Sequence, residues 1–162
     1  MSNARSARLA REIKNFETKS PWGIKCSPEK EDVYDVLTVN MQGPKGSPYE
    51  KGMFKLIVDI PKRYPFEPPR VKFVTPIYHP NIDKEGRICM DLLKMPPNGA
   101  WVPTITLENL LISLQTLMAN PNPHDPLMMD IANEYKIDIE KFNENARRCT
   151  EKYATAVTVC AF

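Results

Sequence analysis

From Thr75 to Asp91 the chain reads TPIYHPNIDKEGRICMD. Pro76 and Pro80 each remove a backbone donor and fix φ, so this segment cannot run as a central strand. Gly86, in the turn-prone Asp83-Lys84-Glu85-Gly86, supplies the positive φ that such a turn wants. The backbone groups left unpaired by the prolines call for side-chain partners, and His79 and Asn81 are at hand. Cys89 follows Asn81 by eight residues. The segment therefore reads as a rigid loop that holds a thiol at the surface.

Sixteen prolines punctuate the chain, clustering at 61–69, 76–80, 96–103 and 121–126. They shape loops between regular elements and do not mark a disordered tail. Ahead of the loop come short segments of alternating polarity, at Gly23–Ser27, Val33–Met41, Met53–Ile60 and Arg70–Val74. Phe54, Leu56, Val58 and Ile60 share one face, and the short connections predict an antiparallel meander. A first helix carries Leu9, Ile13 and Phe16 on one stripe, with Ser2 or Asn3 as cap. Behind the loop, Thr104 or Thr106 caps a main core helix running to about Asn120, through Leu107, Leu110, Leu111, Leu114, Leu117 and Met118. A short helix over Leu127–Asn133 and a last one capped by Asp138 follow. Phe142, Ala146, Cys149 and Tyr153 point that last helix at the core, so Cys149 reads as a buried, inert thiol. The fold class is α+β: helix, four-stranded antiparallel meander, loop, three helices. One domain spans 1–154, with a short tail at 155–162.

With 162 residues the chain suits a single ordinary core, and a net charge of +2 does not indicate nucleic acid or an acidic membrane as a direct partner. Residues 1–19 are locally basic, which reads as a solvated face or as a partner-binding one. No apolar run approaches a membrane span, and no signal-peptide pattern opens the sequence, so a soluble intracellular protein is expected. Cys26, Cys89, Cys149 and Cys160 are scattered with no C-x-x-C pair, which argues against zinc and against a disulfide framework. No cofactor is implied. Phe66, taken with its neighbours alone, reads as a core plug.

Four features in order resemble the ubiquitin-conjugating enzyme family: YPFEPP at 64–69, the spacing from His79-Pro80-Asn81 to Cys89, Trp101, and PNPHDPL at 121–127. The match runs from about Arg5 to Tyr153. The insertion Pro96–Gly99, with YEKGMFKL and RYPFEPP, is similar to the T-type branch, which serves the Fanconi anaemia DNA-repair pathway. Two positions depart from the pattern: His124 stands where many members have Asp, and Val102 follows the tryptophan where that branch has a basic residue.

The resemblance implies that Cys89 accepts ubiquitin as a thioester from the activating enzyme. With a RING-type ligase it would then pass ubiquitin to a substrate lysine, in the nucleus or the cytoplasm. Thiol–thioester exchange is nearly even in energy and aminolysis runs downhill, so cysteine suits the task; the thiolate attacks, and Arg87 is a nearby cation that would favour it. Asn81 has two open roles, donor to the developing oxyanion or support for the loop. His79 is expected to be a buried ring satisfying loop carbonyls, with Pro80 stiffening the same turn. Asp125 matches the acidic gate that receives the amine, with Leu127 beside it, and also reads as the N-cap of the next helix; the two roles are not exclusive. The ligase-facing surface would comprise Arg5, Arg8, Arg63, Phe66 and Pro103, which turns Phe66 into an exposed anchor. Lys94 is a self-modification candidate, since even an extended backbone keeps its Cα within roughly 18 Å of the thiol. Competing readings are a ubiquitin-like modifier in place of ubiquitin, an inactive scaffold of the same fold, and a cysteine protease. The last lacks a histidine free to reach the thiol.

Overall fold

The computed structural model describes residues 2–155. The side chains of Ser2 and Asn3, and the tail beyond Thr155, lie outside the described residues. Helix α1 (Ser2–Thr18) leads into strands β1 (Ile24–Lys30), β2 (Val33–Gln42), β3 (Met53–Asp59) and β4 (Arg70–Phe73). The four form one antiparallel sheet in chain order. After the long loop come α2 (Leu107–Ala119), α3 (Met129–Ile137) and α4 (Ile139–Tyr153). A single 3-10 turn, Asp91–Leu93, lies just past Cys89.

The period-two pattern sets the sheet's two faces. Leu37, Val39 and Met41 of β2 and Phe54, Leu56 and Val58 of β3 are buried, while Lys25 and Asn40 face outward on the open side. Against the inner face pack Leu9, Ile13 and Phe16 of α1 and Leu107, Leu110, Leu111, Leu114 and Met118 of α2. Each such side chain contributes about 1.5–3 kcal/mol of burial, so α2 is the spine of the core. Thr106 caps it, its hydroxyl accepting from Asn109 N.

Some boundaries differ from the sequence reading. Helix α3 starts at Met129, because Leu127 N and Met128 N both donate to the carbonyl of Pro80, at 2.9 and 3.0 Å. Its N-cap is Met128, so Asp125 does not cap it. Asp138 does cap α4, accepting from Lys141 N. On α4 the buried positions are Phe142, Ala146 and Thr150, whereas Cys149 is half-buried and Tyr153 exposed. The inward stripe thus drifts one residue from the expected one. Burial still raises the Cys149 thiol above its ordinary range.

Candidate active site

The loop after β4 is held down at three places. Gly86 takes φ +85°, and a Cβ there would stand 2.0 Å from the carbonyl oxygen of Phe73, so this turn admits only glycine. Cys89 N donates to the Asn81 carbonyl at 2.8 Å, which closes the hairpin-like segment that carries the thiol. The His79 ring, fully buried, sits beneath. Its Nε2–H donates to Leu117 O near the end of α2 at 2.9 Å, and its Nδ1 accepts from Asn81 N at 3.0 Å. A carbonyl only accepts and an amide only donates, so this pair fixes the neutral tautomer. Burial pushes the His79 pKa down to about 4. One partner is thus a helix carbonyl, not only the loop's own backbone.

Asn81 is buried, and its amide is saturated. Nδ2 donates to Asn122 O at 2.8 Å and to Asp125 O at 3.0 Å, and Oδ1 accepts from Asn122 N at 2.8 Å. Three bonds from one side chain clamp the Pro121–Pro126 segment onto the cysteine loop. With Pro80 O holding Leu127 and Met128, the clamp delivers the Asp125 carboxylate to the sulfur.

The half-buried Cys89 Sγ–H donates to Asp125 Oδ2 at 3.3 Å, and Lys94 Nζ lies 3.9 Å away on the same sulfur. Burial raises the thiol's pKa, the bond to Asp125 and the charges of Asp125 and Asp91 raise it further, and Lys94 opposes them. Arg87 is not the assisting cation. Its guanidinium is turned to Asp83 at 2.6 Å and to Glu85 at 3.6 Å. The cation on the sulfur is Lys94, which the sequence offered only as a self-modification candidate. The insertion places it: Ala100 N donates to Asp91 O, Trp101 N to Lys94 O, and Gly99 passes so close to Lys94 that a Cβ would stand 2.2 Å from its carbonyl.

A groove of about 860 Å³ runs between β4 and the insertion; its lining includes Arg70, Lys72, Arg87, Leu93, Lys94 and Met95, but neither Cys89 nor Asp125. A slightly larger one, about 970 Å³, opens on the far face of the sheet around Trp22 and Met53, away from this chemistry. Among the described residues no three His, Cys, Asp or Glu side chains gather as a metal ion would need.

Phe66 is 59% exposed on the Pro61–Pro69 loop, so the core reading of it is corrected. Arg63 and Pro103 are exposed beside the same loop and the one before α2. Arg5 and Arg8 are only half exposed, and their guanidinium groups serve the chain itself. Arg5 donates to the carbonyls of Pro61 and Ile60 and pairs with Asp35. Arg8 donates to the carbonyls of Pro103 and Ile105, pairs with Glu12, and lies 5.1 Å over the Tyr64 ring. As ligase contacts these two can offer edges of the side chain, not a free cation.

The family model described as "Ubiquitin-conjugating enzyme" matches residues 8–150. Among curated relatives, a Homo sapiens protein named Ubiquitin-conjugating enzyme E2 T is 53% identical over 150 residues, covering 93% of this chain and 76% of that protein. The protein of the same name from Bos taurus is 52% identical over 154 residues, covering 95% and 78%. That from Danio rerio is 47% identical over 150 residues, covering 93% and 77%.

Proposed function

The chain belongs to the ubiquitin-conjugating enzyme family and is a ubiquitin-conjugating transferase, and from that premise we propose that Cys89 is its acceptor. The family works with ubiquitin, an activating enzyme and a ligase. The finer reading is a RING-type ligase, docked at Phe66, Arg63 and Pro103, and transfer to a substrate lysine in nuclear DNA repair. The similarity to proteins named E2 T over most of the chain supports that branch.

The observation that carries the site is the placing of Asp125 against Cys89. In loading, the Cys89 thiol gives up its proton to solvent and the thiolate attacks the carbonyl of the incoming thioester; the activating enzyme's thiolate leaves. Once acylated, the sulfur has no proton to donate, and Asp125 is released. Its carboxylate is then free to orient the incoming amine and take its proton as the C–N bond forms and the C–S bond breaks, with Cys89 leaving as the thiolate. An amine has an ordinary pKa near ~10.4 and needs that help. Asn81 acts here as a positioning residue, since both of its amide protons already hold the Asp125 segment. His79 and Pro80 support the loop, and Leu127 borders it.

The test is incubation with ATP, activating enzyme and ubiquitin, in parallel with other modifiers. A reductant-sensitive adduct with ubiquitin is expected on the wild type, a reductant-resistant oxyester on Cys89→Ser, and none on Cys89→Ala. A thioester that survives in Cys89→Ala overturns the assignment, and an adduct only with another modifier overturns the choice of ubiquitin.

A further inference from the structure

Among the described residues, Glu12 is a buried carboxylate that the chemistry at Cys89 does not use. Glu12, on the inner side of α1, is only 8% exposed. Three donors from three elements converge on it. Tyr64 Oη–H reaches Oε2 at 2.5 Å, Leu107 N reaches Oε1 at 2.7 Å, and Arg8 Nε lies 3.4 Å from Oε2. Tyr64 belongs to the Pro61–Pro69 loop, two residues before the exposed Phe66. Leu107 N is the first amide of α2, a donor with no partner inside the helix and the positive end of its dipole. A carboxylate is the natural occupant of that position.

Nearby contacts run through the same three elements. Arg8 sits on the Tyr64 ring and donates to the carbonyls of Pro103 and Ile105, and Trp101 Nε1 donates to Pro65 O at 2.9 Å. The Tyr64 and Trp101 rings lie 6.1 Å apart. Helix α1, the proline loop and the approach to α2 are the three pieces that form the surface around Phe66, Arg63 and Pro103. Burying a lone carboxylate is costly, so its presence among these elements calls for all of its donors. Move one element and a buried charge loses a partner.

We propose that Glu12 is a positioning residue for ligase docking: its buried carboxylate fixes α1, the Pro61–Pro69 loop and the start of α2 in the one arrangement a RING-type ligase recognises. This rests on the ligase reading given above. Glu12 touches neither ubiquitin nor the reacting atoms. Its effect belongs in the concentration of ligase needed, not in the rate of the loaded, ligase-saturated enzyme.

Two variants separate this from a general loss of stability. Glu12→Gln keeps the shape and removes the charge; Tyr64→Phe removes one donor and leaves the ring under Arg8. Each full-length protein is charged with ubiquitin and discharged to free lysine while titrated with a purified RING domain that stimulates the wild type. Amide hydrogen exchange is followed in the same variants. Expected are faster exchange at residues 63–67 and at Leu107, an unchanged sheet, and a half-saturating RING concentration raised about tenfold, with the plateau rate retained, as for a lost preorganised surface. Unchanged exchange at those amides overturns the proposal. So does faster exchange with an unchanged half-saturation point, since the arrangement would then not matter to the ligase. A plateau lost in proportion overturns it as well. If no RING domain stimulates the wild type, the ligase reading falls and takes this inference with it, an outcome distinguishable because the variants are not needed to see it.

Discussion

Asp125 accepts a hydrogen bond from the Cys89 thiol, Oδ2 lying 3.3 Å from Sγ. This pairing favours the neutral thiol, so the carboxylate works against thiolate formation. The thiol's pKa stands above its ordinary value, first through burial and then through Asp125, with Lys94 pulling the other way. Alkylation by iodoacetamide should therefore still be rising with pH beyond the range of a free thiol. Asp125→Asn should move the profile to lower pH, and Lys94→Met to higher pH. A profile unmoved by either change removes both groups from the thiol's surroundings.

The same relationship separates the two half-reactions. Asp125→Ala is expected to leave charging at or above the wild-type rate at neutral pH. It should slow single-turnover discharge to free lysine on the order of 10²-fold, the lower range of what a positioned acid–base group supplies. Equal losses in charging and discharge would mean that Asp125 holds the loop and has no part in the transfer.

His79 links pH to stability. Its folded pKa, about 4, lies below the ordinary 6.5 because the ring is buried. Between those values the unfolded chain binds a proton that the folded chain does not. Its contribution is complete above about pH 6.5 and is lost as pH falls toward 4, for a total on the order of 3 kcal/mol. Urea unfolding followed from pH 7 to 4.5 should show the midpoint falling, and His79→Gln should flatten that fall. A His79→Gln slope equal to the wild type's assigns the acid sensitivity to other groups.

Much of the fold was legible because the patterns that specify it are local. Period-two apolar residues gave β2 and β3, and the stripe from Leu107 to Met118 gave α2, with Thr106 as cap. The spacing of Asn81 and Cys89 was readable for the same reason, since one backbone bond spans it. What the sequence left open depends on contacts across the chain. Asp125 meets Cys89 from 36 residues away, and the loss of its expected cap turned on Pro80 O capturing Leu127 N and Met128 N. Arg8 read as a surface cation because its acceptors, the carbonyls of Pro103 and Ile105, are far along the chain. Glu12 drew no reading of its own for the same reason: its donors Tyr64 and Leu107 lie 52 and 95 residues away.

Phe66 supplies a prediction at the surface. A 59% exposed aromatic contributes little burial to the core, and its loop is held independently by Tyr64 and by Trp101 Nε1 on Pro65 O. Phe66→Ala should leave the melting temperature within about 1–2 °C, as surface substitutions do in a chain of this size. Ligase-stimulated discharge should fall about tenfold or more, the loss of one interface anchor. A large drop in melting temperature with an unaffected ligase response would return Phe66 to the core.

Lys94 carries an amine within reach of the acceptor sulfur. Its Nζ lies 3.9 Å from the Cys89 sulfur, and the turn formed by Asp91–Leu93 and the Pro96–Gly99 insertion holds its backbone in place. An amine kept at that range has the high effective concentration of an intramolecular nucleophile and needs no ligase to bring it. The acylated sulfur no longer offers Asp125 a proton, so that carboxylate is free to receive one. Long incubation with activating enzyme, ATP and ubiquitin should then give a reductant-resistant product whose ubiquitin remnant maps to Lys94. Its rate should not depend on enzyme concentration, since donor and acceptor share one chain. Lys94→Arg should abolish that product while charging proceeds, because the cation beside the thiol is kept. A remnant mapping mainly to Lys141 or Lys152, or a rate rising with enzyme concentration, would show that the loop amine is not the acceptor.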